Sequence, residues 1–166
     1  MTQSVTGMVF IHAATRALHK HIAWSISNVL KTEVFLDWTP QPALDGQFRT
    51  EIAWSGWPAT GAEITSQLAG WQELHFEVTQ DPFLGYSGSR WSYTPALGIV
   101  HRTIDDMGNL TVREDEMRAA LERAGSNPLE WQREMRLLLA EPWDQVLDPM
   151  RAAGADARVV WLHRAG

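Results

Sequence analysis

The chain has 166 residues, of which 20 are acidic and 14 are basic, so its formal net charge at pH 7 is -6. This balance disfavours binding to a phosphate backbone or an anionic membrane, and we expect neither nucleic acid nor membrane as a partner. The absence of cysteine excludes disulfides and thiolate chemistry. Because the start shows no secretory leader, we expect a cytoplasmic protein folded as a single domain, residues 1–166.

The first eighty residues predict the order strand, helix, strand, strand, helix, strand. The strands are expected at residues 8–12, 32–38, 47–54 and 71–79, and the helices at 15–30 and 60–69. This order is typical of a ferredoxin-like βαββαβ sheet with its helices on one face.

The second half predicts an extension of that sheet followed by helices. A hairpin is expected at residues 98–103 and 110–112, helices at 114–124, 127–140 and 142–154, and a last strand at 158–163. The predicted fold class is therefore α+β, a ferredoxin-like βαββαβ sheet extended by a β-hairpin and a C-terminal strand, with additional C-terminal helices.

Charged side chains are predicted on the sheet face turned away from the first two helices. Strand alternation places Arg49, Glu51, His75 and Glu77 there, with Asp37 at the end of a strand. His12 joins them if Val9 and Ile11 point towards the helices, and a shift of one residue would turn it to the other face. A histidine among carboxylates can perform general acid–base catalysis, which makes His75, Glu77, Glu51 and His12 candidate catalytic residues. Two alternatives stay open: a solvated face with cross-strand ion pairs, or a face partly covered by the C-terminal helices with its charges paired inside.

Aromatic side chains mark the long segment 80–97 as a second candidate site. Phe83, Tyr86, Trp91 and Tyr93 could form a ligand lid or a partner-binding edge. Two alternatives stay open: residues 90–93 form another strand, or the segment is a loop that folds back onto the core.

Familiar catalytic and cofactor motifs are missing. His19 and His21 are two residues apart on a predicted helix and point in different directions, so we expect no metal there. The segment 85–89 is not a nucleophile elbow, and the chain has neither a P-loop nor a dinucleotide fingerprint. We therefore expect no cofactor.

Several segments resemble an uncharacterised family of actinobacterial proteins, a domain of unknown function. They are residues 9–14 (VFIHAA), 36–38 (LDW), 74–79 (LHFEVT), 94–99 (TPALGI), 139–144 (LAEPWD) and 160–163 (VWLH). The resemblance supplies no catalytic residues. It implies an accessory role in fatty-acid metabolism, near acyl chains, although the net charge of -6 fits poorly with an acidic acyl carrier as partner.

Two functions follow as hypotheses. The preferred one is a non-enzymatic binding or regulatory protein that uses the aromatic loop and an open sheet face, to which Arg49 and Asp37 contribute binding groups. The alternative is a small enzyme with a His–carboxylate acid–base site. The partner is expected to be a protein or a small-molecule ligand, and the sequence leaves homo-oligomerisation open.

Overall fold

A computed structural model of the protein describes residues 4–153. In this range one antiparallel sheet of seven strands combines with five α-helices, so the fold is mixed α+β. The strands are β1 (Val5–Ala14), β2 (Thr39–Pro40), β3 (Phe48–Gly56), β4 (His75–Gln80), β5 (Gly88–Thr94), β6 (Gly98–Ile104) and β7 (Leu110–Thr111), in the spatial order β2-β3-β1-β4-β5-β6-β7. The helices are α1 (His19–Leu30), α2 (Thr60–Leu68), α3 (Glu114–Ala124), α4 (Pro128–Leu138) and α5 (Glu141–Ala152).

Two faces of the sheet differ because the strands alternate apolar and polar residues. On one face, which we call the helix side, Val9 lies opposite Val78 and Ile11 lies opposite Phe76, all fully buried. The helices α1 and α2 pack on this face and bury Ile22 and Leu68, among others. Each such side chain contributes about 1.5–3 kcal/mol, so this layer holds the main core.

One glycine is required by the packing of this core. A Cβ built at Gly7 in β1 would lie 1.9 Å from the carbonyl oxygen of Thr79 and 2.6 Å from the ring of Trp54. Both distances are far below van der Waals contact. Any side chain at this position would therefore push β1 away from its neighbours.

The three C-terminal helices lie over the opposite face, which we call the far side. Helix α4 begins at Pro128, and the side chain of Asn127 accepts a hydrogen bond from the Leu129 backbone N–H at 3.0 Å, which caps it. Arg102 of β6 donates to the carbonyl of Leu138 at 2.7 Å and so anchors the end of this helix on the sheet. Trp143 of α5 donates to the carbonyl of Gly98 at 2.9 Å.

The strand predicted at residues 32–38 is wrong. This segment is irregular, and only Thr39–Pro40 pairs with β3. The Val34 backbone N–H binds the Ser27 hydroxyl at 2.9 Å, and Trp38 stacks on His19 with ring centroids 3.7 Å apart. The segment therefore packs against α1, and its alternation reflects contacts with that helix.

The elements predicted for the second half of the chain are present as far as the structure describes it. The hairpin of the second half is present as β6 and β7, and the helices predicted at 114–124, 127–140 and 142–154 correspond to α3, α4 and α5. The predicted strand at 158–163 lies outside the described residues.

Candidate functional site

The carboxylate of Glu77 is the centre of a buried polar cluster on the far side of the sheet. Strand register places Glu77 of β4 between Phe10 of β1 and Ser92 of β5. The Ser92 hydroxyl donates to Oε1 of Glu77 at 2.9 Å, and Nε2 of His12 lies 2.7 Å from its Oε2. All three polar side chains are buried, so sequence alternation does bring His12 and Glu77 together.

Arg151 of α5 completes the cluster from above. Its Nε donates to Oε2 of Glu77 at 2.9 Å and its Nη2 donates to Oε1, a bidentate pair. Its Nη1 donates to Asp144 at 2.8 Å and to Asp148 at 2.7 Å. These two aspartates precede Arg151 on α5 by seven and three residues, so all three side chains lie on one side of the helix, with Arg151 buried and Asp148 exposed.

The electrostatics of the cluster keep both Glu77 and Arg151 in their charged forms. Burial alone would raise the pKa of Glu77, but the hydrogen bond with His12 and the charge of Arg151 outweigh burial and hold that pKa well below its usual range. Burial would likewise lower the pKa of Arg151, but Glu77 and Asp144 raise it above its ordinary value. A carboxylate held in this way keeps its negative charge and accepts no proton near neutral pH.

Gln41 ties this cluster to the start of β3. Its side-chain Nε2 donates to the carbonyl of His12 at 2.7 Å and to the carbonyl of Met150 at 3.2 Å, and its Oε1 accepts from the Ala43 N–H at 3.1 Å. The side chain is buried, with 3% of its surface exposed. It therefore links β1, the connection between β2 and β3, and α5.

The other two candidate catalytic residues lie apart from the Glu77 carboxylate. His75 is half-buried opposite Ala13, and burial, followed by the nearby His12, lowers its pKa. Glu51 is exposed on β3, opposite Phe10. The four candidates thus share one face, and among them the structure joins His12 and Glu77 by a hydrogen bond, where α5 covers the face and Arg151 pairs with Glu77.

The predicted binding residues of the sheet face are also separated. Arg49 is half-buried in β3 and pairs with Thr39 of β2. Asp37 is exposed in the irregular segment before β2.

Two of the four loop aromatics belong to a strand. Trp91 and Tyr93 lie in β5, which the sequence left open as the alternative to a loop. Tyr93 is buried and stacks on Phe76 with centroids 5.1 Å apart, and Trp91 stacks on His101 at 4.9 Å. Both rings face the helix side, opposite to the Glu77 cluster, so the four aromatics do not form one lid.

The other two aromatics form the tip of the β4–β5 hairpin. The rings of Phe83 and Tyr86 stack with centroids 5.4 Å apart, and the Tyr86 N–H donates to the Phe83 carbonyl at 2.8 Å. Between them, Leu84 and Gly85 have positive φ angles of 45° and 79°. This is the backbone of a tight hairpin turn, and it leaves Leu84 and Tyr86 in solvent with 73% and 67% of their surfaces exposed.

Sequence reasoning missed residues that complete the Glu77 cluster and the tip of the β4–β5 hairpin. Arg151, Ser92 and Gln41 gave no local signal, because their partners are brought together only by the folded sheet and α5. The spacing of Asp144, Asp148 and Arg151 on one helix side was the available hint. The exposure of Leu84 was not predicted, because residues 80–97 were interpreted as one aromatic loop and not as a hairpin with Leu84 at its turn.

Metal ligands are not grouped in the part of the chain that the structure describes. Between residues 4 and 153, no three histidine, aspartate or glutamate side chains are placed to hold a metal ion together. Over the same range, no helix has the length and apolar character needed to cross a membrane.

The chain thus falls into the class of mixed α+β proteins with an antiparallel sheet covered by helices, and a buried ionic cluster joins α5 to the far side of that sheet. The chain belongs to the family of proteins of unknown function DUF3145, whose model matches residues 8–164. No curated protein and no solved structure matches it.

Proposed function

We propose that this protein is a non-enzymatic binding protein that contacts a partner protein at the end of the sheet where the β4–β5 hairpin projects. The observation that carries the proposal is a set of large apolar side chains held in solvent at this end. We call Trp57, Leu84 and Tyr86 the hairpin-end surface; they are 63%, 73% and 67% exposed. Tryptophan and tyrosine are the residues that most often dominate binding energy at protein interfaces.

These three residues flank the same strand end. Val5, at the start of β1, pairs with Gly56, the residue before Trp57. On the other side of β1, the Asp81 N–H donates to the Thr6 carbonyl at 2.8 Å, and the Thr6 hydroxyl donates to the Asp81 carboxylate at 2.6 Å. These bonds fix the base of the hairpin next to β1.

The hairpin tip is held in one conformation at a cost in stability. Leu84 adopts a left-handed backbone, which costs a residue with a side chain about 1–2 kcal/mol relative to the usual helical region. The Phe83–Tyr86 backbone bonds and ring stack oppose that cost. A preorganised apolar tip loses little conformational entropy on binding, which favours a role in recognition.

The enzyme alternative draws no support from the Glu77 cluster. An acid–base residue must exchange a proton with a substrate, whereas Glu77 is buried and bonded to His12, Ser92 and Arg151. Such a cluster is typical of a structural role. The accessory role in fatty-acid metabolism, the cytoplasmic location and an actinobacterial origin stay predictions.

We propose in addition that the first four strands are a ferredoxin-like arrangement in which the second strand is reduced to two residues. The order β2-β3-β1-β4 with antiparallel neighbours supports this relation. A solved structure of a family member in which the segment matching residues 32–40 forms a longer strand beside β3 would support this relation, and one in which that segment does not pair with β3 would contradict it.

Site-specific cross-linking tests the binding function. A photoreactive benzoylphenylalanine at Tyr86 should capture one partner in native cells, and the same group at Met107, another hairpin residue that is 74% exposed, should not. With that partner purified, the double variant Leu84→Ser/Tyr86→Ser should raise Kd at least about tenfold, because it removes apolar contact area. Met107→Ser should leave Kd unchanged.

Two results would contradict the proposal. Equal cross-linking at positions 86 and 107 would indicate random encounters. An unchanged Kd for the double variant, with its thermal unfolding temperature also unchanged, would place the partner elsewhere on the protein.

A further inference from the structure

Helix α1 and the irregular segment after it present two neighbouring rows of exposed side chains. On α1, Trp24 is 63% exposed, while Ile22 and Ile26 of the same helix are buried in the core. In the segment, Phe35 is 79% exposed, while Val34 before it is buried. Tryptophan and phenylalanine are enriched in protein interfaces, so this surface has the composition of a contact surface.

Two contacts show that the segment runs back along α1. The Val34 N–H binds the Ser27 hydroxyl, near the end of the helix, at 2.9 Å. Trp38 stacks on His19, the first residue of the helix, with ring centroids 3.7 Å apart. Phe35 lies between these two contacts and therefore beside the middle of α1. The two rows thus lie side by side, with their chain directions opposed.

The row on α1 is basic and the row on the segment is acidic. On α1, Lys20 lies near the start and Lys31 lies directly after the end, and both are exposed. On the segment, Glu33 lies near the end of the helix, whereas Asp37, which precedes Trp38, lies near its start, and both are exposed. We call Lys20, Trp24 and Lys31 the basic row, and Glu33, Phe35 and Asp37 the acidic row.

The charges of both rows are available to a partner. Among residues 4–153, the four charged groups of the two rows form no ion pair with one another or with other side chains, and all four are exposed. On α3, by contrast, Arg123 binds Glu134 of α4 at 2.8 Å. The described part of the chain therefore leaves the charges beside α1 unpaired and separates the two signs into two rows.

We propose that these two rows bind a second copy of the same chain, across a two-fold axis that runs along α1 and between the rows. Because both copies use the same surface, this axis places the basic row of each copy on the acidic row of the other. Trp24 then lies against Phe35 of the second copy, and the contact occurs twice. The two α1 helices are parallel in this arrangement. The inference goes beyond the proposed function and does not depend on it.

Charge complementarity selects the second copy as the occupant and sets the direction of the axis. The axis along α1 sets Lys20 opposite Asp37 of the second copy. At the other end of the helix it sets Lys31 opposite Glu33 of the second copy. An axis across α1 would set the two lysines opposite each other and the two acids opposite each other, which costs free energy. A partner with charge of one sign would meet a like charge in one of the rows, whereas a second copy carries both signs in the required order.

Sedimentation velocity of the full-length protein at several concentrations tests for the dimer. We expect it to dissociate on dilution through the micromolar range, because an interface of one helix and one segment is small. Trp24→Ser should raise the dimer Kd at least about tenfold, because it removes a ring from the centre of the interface. The matched control Trp57→Ser removes a tryptophan of the same 63% exposure and should leave Kd unchanged. Both variants should unfold at the wild-type temperature when diluted to the monomer.

Two double variants that keep the wild-type net charge test the direction of the axis. Lys20→Glu/Asp37→Lys exchanges two groups that face each other across the interface, so Kd should stay within about threefold of the wild-type value. Lys20→Glu/Glu33→Lys opposes like charges at every charged contact, so Kd should rise at least about tenfold.

Three outcomes would overturn the proposal. A wild-type protein that stays monomeric up to about 0.5 mM would exclude a second copy as the occupant. Equal effects of Trp24→Ser and Trp57→Ser on Kd would place the dimer interface elsewhere. A dimer of Lys20→Glu/Glu33→Lys that is as tight as that of Lys20→Glu/Asp37→Lys, or tighter, would show that the basic row does not lie on the acidic row.

Discussion

The far side of the sheet has a covered part and an uncovered part, and the same strand alternation produces both. Under α5, His12, Glu77 and Ser92 are buried and hydrogen-bonded. On β3, at the outer side of β1, Glu51 and Ala53 are exposed. A carboxylate on this face is thus either a buried, fixed ion or a solvated one. For Glu77 the difference is made by α5, which begins at Glu141, more than sixty residues later in the chain.

This difference has an energetic meaning. A buried ion pair adds little net stability when it forms, because desolvation offsets attraction, but removal of one partner leaves the other charge buried without it. An exposed carboxylate keeps its hydration and contributes little either way. The two glutamates Glu77 and Glu51 therefore provide a matched test.

The largest effect is expected for Glu77→Gln. The neutral amide cannot replace the bidentate pair with Arg151, which is 4% exposed, and Asp144 and Asp148 balance its charge in part, so the free energy of unfolding should fall by about 3 kcal/mol. The matched control Glu51→Gln should change it by less than about 0.5 kcal/mol. Urea unfolding at pH 7 measures both, and equal effects of the two variants would contradict a difference between the two parts of the face.

A smaller effect is expected for Gln41→Ala, which removes the link between the covered part and the start of β3. The change deletes hydrogen bonds to the carbonyls of His12 and Met150 and should cost about 1–3 kcal/mol of unfolding free energy. Gln145→Ala is a suitable control, because this exposed side chain bonds only to the Glu141 carboxylate, at 3.1 Å. If both variants unfold at the same urea concentration, the hydrogen bonds of the Gln41 side chain do not stabilise the fold.

The smallest effect is expected for the free energy of unfolding as the pH is lowered, because Glu77 takes up a proton. The pKa of Glu77 is lower in the folded state than its unfolded value of about 4.3, so its ionised form stabilises the fold above about pH 4.3. That contribution is lost as the pH falls below about 4.3, at up to about 1.4 kcal/mol for each pH unit.

The variant Glu77→Gln lacks this group, so the stability gap between wild type and variant should narrow as the pH is lowered from about 5 to 3. Thermal unfolding at several pH values measures the gap. A constant gap would mean that the ionisation of Glu77 is not coupled to folding.

The sequence predicts elements well where the determining contacts are local. Helix α4 carries its own start signal in Asn127 and Pro128, and β3 alternates along its whole length. Residues 32–38 alternate equally well but pack on α1 through Val34 and Trp38. Periodicity alone cannot distinguish these two environments.

In the candidate site, too, the sequence predicted only what local alternation decides. Alternation placed His12 and Glu77 on one face, because register along adjacent strands follows from the pattern. The role of Glu77 could not be predicted, because it depends on Arg151, which is 74 residues further along the chain. Likewise, a strand at residues 90–93 was one stated alternative, but the face that Trp91 and Tyr93 take could not be read from the sequence, because it depends on the pairing of β5 with β4.

The bonds that Glu77 makes to His12 and Arg151 close a loop that contains nearly the whole described chain. In a protein without cysteine, this closure joins β1 to α5 as a disulfide would, but through hydrogen bonds to one carboxylate. A disulfide also restricts the unfolded chain, whereas this closure exists only when the strands and α5 are assembled. It therefore makes the first strand and the last helix depend on each other, and the fold gains cooperativity without a covalent bond.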